Sequence, residues 1–151
     1  MNDIMEKATK TLQEQIGQDK IMALATRNGD GVAVRTVNVY TYDGCFYFIT
    51  EAGSNKYHQI MQNNKVALSV NAIQITGIAT PLEHPVHEAN RNFVCFMEKQ
   101  LPQQFNRFNG KSIMRLIKIK PANASLIILE AGEGYVIDFE KNMAAPIEHE
   151  M

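Results

Sequence analysis

Apolar positions recur along the chain with two different periods, and the switches between them predict a mainly β protein covered by a few helices. In residues 2–16, Ile4, Met5, Ala8, Leu12 and Ile16 return at helical spacing among Glu6, Lys7, Lys10 and Gln13. This is an amphipathic helix, startable by Asn2 or Asp3 and ended by Gly17, with the expected role of covering a sheet face. The period then drops to two. Residues 20–27, 32–42 and 45–50 read as strands joined at Asn28-Gly29-Asp30-Gly31 and Asp43-Gly44, residue types that tolerate the positive φ of tight hairpins. Helical spacing resumes over 54–64, with Ser54 placed to cap it. Two more strands follow, 66–71 and 73–80, and Gly77 in the second marks a bulge or a close approach of backbone. Pro85 opens a helix near 86–101 and Pro102 interrupts it; residues 105–110 form a short turn. Residues 112–120, 124–130 and 134–139 are strands, and the polar tail after Lys141, with Pro146, reads as a frayed end covering 142–151. Seven or eight short strands with two or three helices argue for a barrel, since closure removes exposed strand edges.

Composition narrows the setting. The 151 residues fit one domain, 1–151, and two would each bury too little. A formal net charge of -1 removes any global electrostatic case for nucleic acid or an anionic membrane. Cys45 and Cys95 sit in apolar runs, which suits free buried thiols in a reducing compartment. No run approaches the roughly 18 apolar residues of a membrane span, and the first residues lack a signal core, so the expected location is cytoplasmic.

The passage Phe48 to Gln59 (FITEAGSNKYHQ) carries the most chemistry. A strand ends at Thr50, a loop holds Gly53, and a helix starts after Ser54 with Lys56 in its first turn. Unpaired N–H groups at a helix start, a hydroxyl and a cation outline a phosphate site. Arg35, one strand earlier, can add a planar fork to the same anion. The plainer reading leaves Ser54 as a cap and Lys56 as a solvated side chain.

The ordered pieces Arg35-Thr36-Val37, Phe48-Ile49-Thr50 and Ser54-Asn55-Lys56 resemble the FMN-binding loop region of the pyridoxamine 5'-phosphate oxidase-like family, the FMN-binding split barrels. The resemblance covers residues 4–80 in order and spacing, and the last third only in general pattern. It implies a split β-barrel of about six to eight mostly antiparallel strands with flanking helices. It also implies FMN as cofactor, with Arg35, Ser54 and Lys56 on the phosphate, Thr36 and Val37 along the flavin ring, and Thr50 and Glu51 on the same wall. Asn55 stands where relatives often carry arginine, which removes one cation. Gln74 resembles a position that reaches the flavin from a second subunit, so the implied partner is a homodimer with the cofactor at its interface. The implied activity is an oxidoreductase taking electrons from a reduced nicotinamide nucleotide to a small acceptor. The tail GYVIDFEKNMAAPIEHEM has no arginine or tryptophan and its His149 lies near the end, so it departs from the substrate pattern of the oxidase itself. The alternative is a non-catalytic binder of flavin, haem or F420, for which His58 and His87 are the histidines to watch.

Other features read as structural. His84 and His87 flank Pro85 without a third ligand, so no metal site is expected. Phe93 and Phe96 have core spacing, while Phe105 and Phe108 are candidates for an interface. Arg115, Lys118 and Lys120 make a modest basic patch, expected to be a solvated strand face.

Overall fold

A computed structural model of the chain describes residues 3–107, 111–128 and 130–147. Helix α1 (Asp3–Ile16) buries Met5, Ala8, Leu12 and Ile16, the stripe expected from the sequence. The meander β1 (Asp19–Asn28), β2 (Gly31–Tyr42) and β3 (Cys45–Glu51) follows, then α2 (Asn55–Gln62), β4 (Lys65–Val70) and β5 (Ile73–Pro81). A 3-10 turn at Glu88–Asn90 leads into α3 (Arg91–Gln100) and α4 (Pro102–Asn106). The chain then forms β6 (Met114–Ile128), β7 (Glu133–Asp138) and β8 (Met143–Pro146). The sheet order is β3-β2-β1-β4-β5-β6-β7-β8, and β3 also pairs with β6. Six antiparallel strands therefore close into a barrel, and β7 and β8 extend from it.

Two cores hold the fold. The barrel interior is filled by residues such as Leu24, Val39, Phe48, Leu68, Ile75 and Ile117, together with the α1 stripe and Ile60 of α2. Outside the barrel, Phe93, Met97 and Phe105 of α3 and α4 cover Tyr40, Tyr47 and Leu116. Phe93 and Phe105 are thus core, Phe96 packs against that core, and Phe108 lies outside the described residues.

Four expectations change. The strands expected at 112–120 and 124–130 are one strand, β6, as far as Ile128, with residue 129 outside the described residues. Pro121 does not break it because the register shifts there: Gly77 pairs with Pro121 and Thr76 with Asn123, leaving Ala122 as the extra residue of a bulge. A Cβ at Gly77 would stand 2.5 Å from the Lys120 carbonyl oxygen, so only glycine permits this approach. The tail expected to fray instead forms β8 as far as Pro146, because β7 offers it a pairing edge; residues 148–151, with His149, lie outside the described residues. Pro85 does not open α3; His87 caps the 3-10 turn, its Nδ1 accepting from the Ala89 N–H at 3.1 Å. Of the two thiols, Cys45 is half-buried and Cys95 is exposed on α3, not buried.

The barrel is split on one side. β2 pairs with β1 along its whole length, from Asn28↔Gly31 to Asp19↔Tyr40. With β3 it pairs only through Tyr40↔Tyr47, Thr41↔Phe46 and Tyr42↔Cys45, next to the hairpin. From there β3 runs against β6. Residues 31–39 of β2 thus present a strand edge that no described strand occupies.

Candidate functional site

Arg35 lies on that edge, opposite Leu24 of β1. Its half-buried guanidinium is held by three hydrogen bonds. Nη1 donates to the Leu24 carbonyl at 3.3 Å and to Thr26 Oγ1 at 2.8 Å, and Nη2 donates to Gln59 Oε1 at 2.7 Å. Thr26, only 2 % exposed, passes the chain on, its hydroxyl donating to the same Gln59 oxygen at 2.6 Å. The ring Arg35–Thr26–Gln59 ties β2, β1 and α2 together. Of the five donors of a guanidinium, Nε and one N–H on Nη2 stay free of the described chain. Burial lowers the Arg35 pKa from its ordinary value.

The start of α2 supplies the second half. Ser54 is the N-cap, its Oγ accepting from the Tyr57 N–H at 3.3 Å and lying 2.9 Å from the hydroxyl of buried Thr50. If Thr50 donates in that pair, the Ser54 proton points to whatever approaches the helix start. Lys56, half-buried in the first turn, makes no hydrogen bond or ion pair with the described chain. Its pKa is lowered, first by burial and then by the Arg35 cation, with Glu51 acting weakly in the other direction. Two half-buried cations thus face one another, with no carboxylate in ion-pair contact among the described residues. Such a pair is electrostatically unfavourable when empty and is complementary to a dianion.

The remaining sequence candidates fall into two groups. Thr50, Glu51 and Asn55 flank the same helix start: Thr50 is buried, while Glu51 and Asn55 are exposed. Thr36 is exposed on the outer face of β2, whereas the Val37 side chain belongs to the barrel core, so a ligand reaches Val37 only through its backbone. Gln74 stands apart. In register, Thr36 faces Ala23, Ala23 faces Ser69 and Ser69 faces Gln74, three strand spacings or about 14 Å along one outer face. Within one chain it does not meet Arg35.

Thr26 and Gln59 are the residues that the pattern reading passed over. Their signals were present. Thr26 is the polar member of the inward series Met22, Leu24, Thr26, and Gln59 sits three residues after Lys56, on the same helix face. A third group is Asn38, whose Oδ1 is buried on β2 without a partner among the described residues. The histidines add little: His58 is exposed, and His84 is engaged by the Lys111 carbonyl at 2.6 Å. The described residues contain no cluster of three metal-ligating side chains and no helix long and apolar enough to cross a membrane.

Comparisons place this geometry. The family model for pyridoxamine 5'-phosphate oxidase matches residues 8–127. No curated protein sequence matches the chain. Among solved structures, General Stress Protein 26 from Bacillus anthracis superposes with a TM-score of 0.61 at 21% identity, covering 83% of this chain and 95% of its own. A pyridoxamine 5'-phosphate oxidase-related, FMN-binding protein from Nostoc punctiforme gives 0.61 at 16% identity, with 96% and 93% covered. The haem storage protein of Vibrio cholerae gives 0.62 at 12% identity, with 76% and 89% covered. The split barrel, its order of strands and the match over most of the length agree: the chain belongs to the pyridoxamine 5'-phosphate oxidase family.

Proposed function

We propose that the chain binds FMN at the open edge between β2 and β3 and acts as an oxidoreductase, taking electrons from a reduced nicotinamide nucleotide and delivering them to a small acceptor. The observation that carries this reading is the unpaired Arg35–Lys56 cation pair beside the capped start of α2. A ribityl phosphate matches it in charge and in donor count. Bound FMN would supply the hydride and electron chemistry. The chain's part is to bind, orient and exclude water. Arg35, Ser54 and Lys56 hold the phosphate; Thr50, Glu51 and Asn55 border it. The free β2 edge at Thr36 and Val37 offers backbone groups to the flavin ring, and the Asn38 oxygen is an unmet acceptor for a ring N–H. The segment from Gly134 onward departs from the arginine- and histidine-bearing pattern that the resemblance implies for the pyridoxal substrate, so pyridoxamine phosphate is not the proposed substrate.

One chain builds only half of such a site. The outer face next to Thr36 exposes Val32, Val34 and Ile21 at 78%, 70% and 66%. It continues over Ala25 and Ala67 to Thr76, next to Gln74 on the same face of β5. An apolar face of this kind is suited to burial against a second copy. A two-fold dimer on it brings Gln74 of one chain toward the β2 edge of the other.

The test is the visible spectrum of the purified chain with FMN, before and after NADPH without oxygen, together with its sedimentation behaviour. A flavin spectrum that NADPH bleaches, on a dimer, is the expected result. A bound flavin that resists both NADPH and NADH points to a binding protein. A Soret band with added haem and no flavin uptake refutes the cofactor assignment.

A further inference from the structure

A broad cleft lies away from the Arg35 site, on the other flank of α2. Along an α-helix of 3.6 residues per turn, Lys56 and Gln59 share one side, and Tyr57 and Met61 lie about 100° and 140° around from Lys56, away from Gln59. Tyr57 and Met61 line this second space, which runs along β6 to α3 and has a volume of about 760 Å³. That is the size of a small-molecule pocket. Its other wall is aromatic. Tyr47 and Phe93 have ring centroids 4.5 Å apart, and Tyr42 meets Phe93 edge-on at 6.2 Å. The floor is the fully buried Leu116.

The cations of this cleft are those the sequence placed on a solvated strand face. Lys120 is exposed as expected, but Arg115 and Lys118 are half-buried and line the cleft. Lys118 sits across from Tyr47 in the β3–β6 ladder and makes no hydrogen bond or ion pair with the described chain. Arg115 lies on the other face of β6, across from Thr50, and spends Nη1 on the carbonyls of Ser112 and Met114, at 2.8 and 2.9 Å. The Tyr47 hydroxyl also makes no hydrogen bond with the described chain. Burial chiefly pushes its pKa up to about 12, so it is a donor at neutral pH. The acids that border the cleft, Asp43 and Glu83, are exposed. Donors and cations therefore occupy the interior, against an aromatic wall, and the carboxylates stay in solvent.

We infer that this cleft is a second ligand site, separate from the flavin site, and that it takes a planar aromatic anion with its ring against the half-buried Tyr42 and its charge on Lys118. Ring-on-ring contact and a charge-assisted hydrogen bond act together there, so neither half alone should bind well.

The test is calorimetric titration of the full chain with phenyl phosphate, with inorganic phosphate and benzyl alcohol as probes lacking the ring or the charge. Wild type should bind phenyl phosphate more tightly than either probe, inorganic phosphate reading only the Arg35–Lys56 pair. Lys118→Met should weaken it at least about tenfold, the loss of one hydrogen bond to a charged group. Lys56→Met should lose the inorganic phosphate signal and keep the tighter phenyl phosphate binding. Amide chemical shifts provide a reading that needs no variant: the expected changes fall on Leu116, Lys118 and α3. No binding by wild type overturns the inference. So does affinity that follows Lys56 instead of Lys118, or shifts confined to the start of α2. The Lys118 and Lys56 variants tell this site from the flavin phosphate site, so failure of one reading is distinguishable from failure of the other.

Discussion

Replacing Lys56 by methionine separates a binding role from a structural one, because the two readings give opposite signs. In the free chain the Lys56 ammonium is half-buried, is repelled by the Arg35 cation and makes no hydrogen bond or ion pair among the described residues, so its charge is a cost to the fold. Methionine keeps the stem and removes the charge. Discounted for the solvent that still reaches the group, the gain should be about 0.5–1 kcal/mol, in the range of other substitutions that relieve functional strain. For a chain of this size that raises Tm by about 1–4 °C. FMN binding should move the other way. One charge-assisted hydrogen bond to phosphate contributes about 1.5–3 kcal/mol, which is a roughly 10- to 150-fold loss of affinity. Riboflavin, which has no phosphate, should lose little. The assays are thermal unfolding of the cofactor-free protein and quenching of flavin fluorescence with FMN and riboflavin side by side. A variant that melts lower than wild type yet binds FMN equally well would refute the reasoning, since Lys56 would then be supporting the fold.

Three further outcomes follow from the same geometry. Gln59→Leu removes the oxygen that receives both Arg35 and Thr26; FMN affinity should fall about tenfold or more while riboflavin binding holds, and an equal loss for both flavins would mean that Gln59 acts only on the fold. FMN affinity should also fall at both ends of the pH scale. Lys56 titrates below its ordinary 10.5 in the free chain, so its charge and the phosphate contact are lost as pH rises through that lowered value; below about pH 6 the phosphate dianion takes up a proton and loses half its charge. In the cofactor-free chain the sign reverses: the penalty for charged Lys56 is present below the lowered pKa and relieved above it, so the stability advantage of Lys56→Met should shrink as pH approaches 10.5. Gly77→Ala forces a Cβ to 2.5 Å from the Lys120 carbonyl oxygen; denaturant unfolding should show a loss of about 2 kcal/mol or more, and a loss below about 0.5 kcal/mol would mean that the bulge adapts freely.

Local patterns were enough for the elements and for part of the site. The α1 stripe, the two hairpins of the meander, the Ser54 cap and the strands around Gly77 all follow from spacing and turn chemistry within a few residues. Pro102, expected to interrupt a helix, sits in the first turn of α4 with α3 ending just before it, for the same local reason. Where the reading erred, a distant partner decided. Residues 112–120 and 124–130 read as two strands until Gly77 of another strand makes room for a bulge between them, and residues 143–146 read as a frayed end until β7 offers an edge.

The sequence by itself determined that the chain is a β-rich domain with a cation and a capped helix start at the right separation for an anion. These are properties of neighbouring residues, set by side-chain periodicity and backbone preference. Only the tertiary structure decided that Arg35 is clamped by Thr26 and Gln59, that β2 leaves β3 to open an unpaired edge, and that Lys118 and Arg115 line a cleft instead of a solvated face. The physical reason is the same in each case. Hydrogen bonds, burial and charge repulsion act between residues that closure of the barrel brings together, and their spacing along the chain carries no record of that distance.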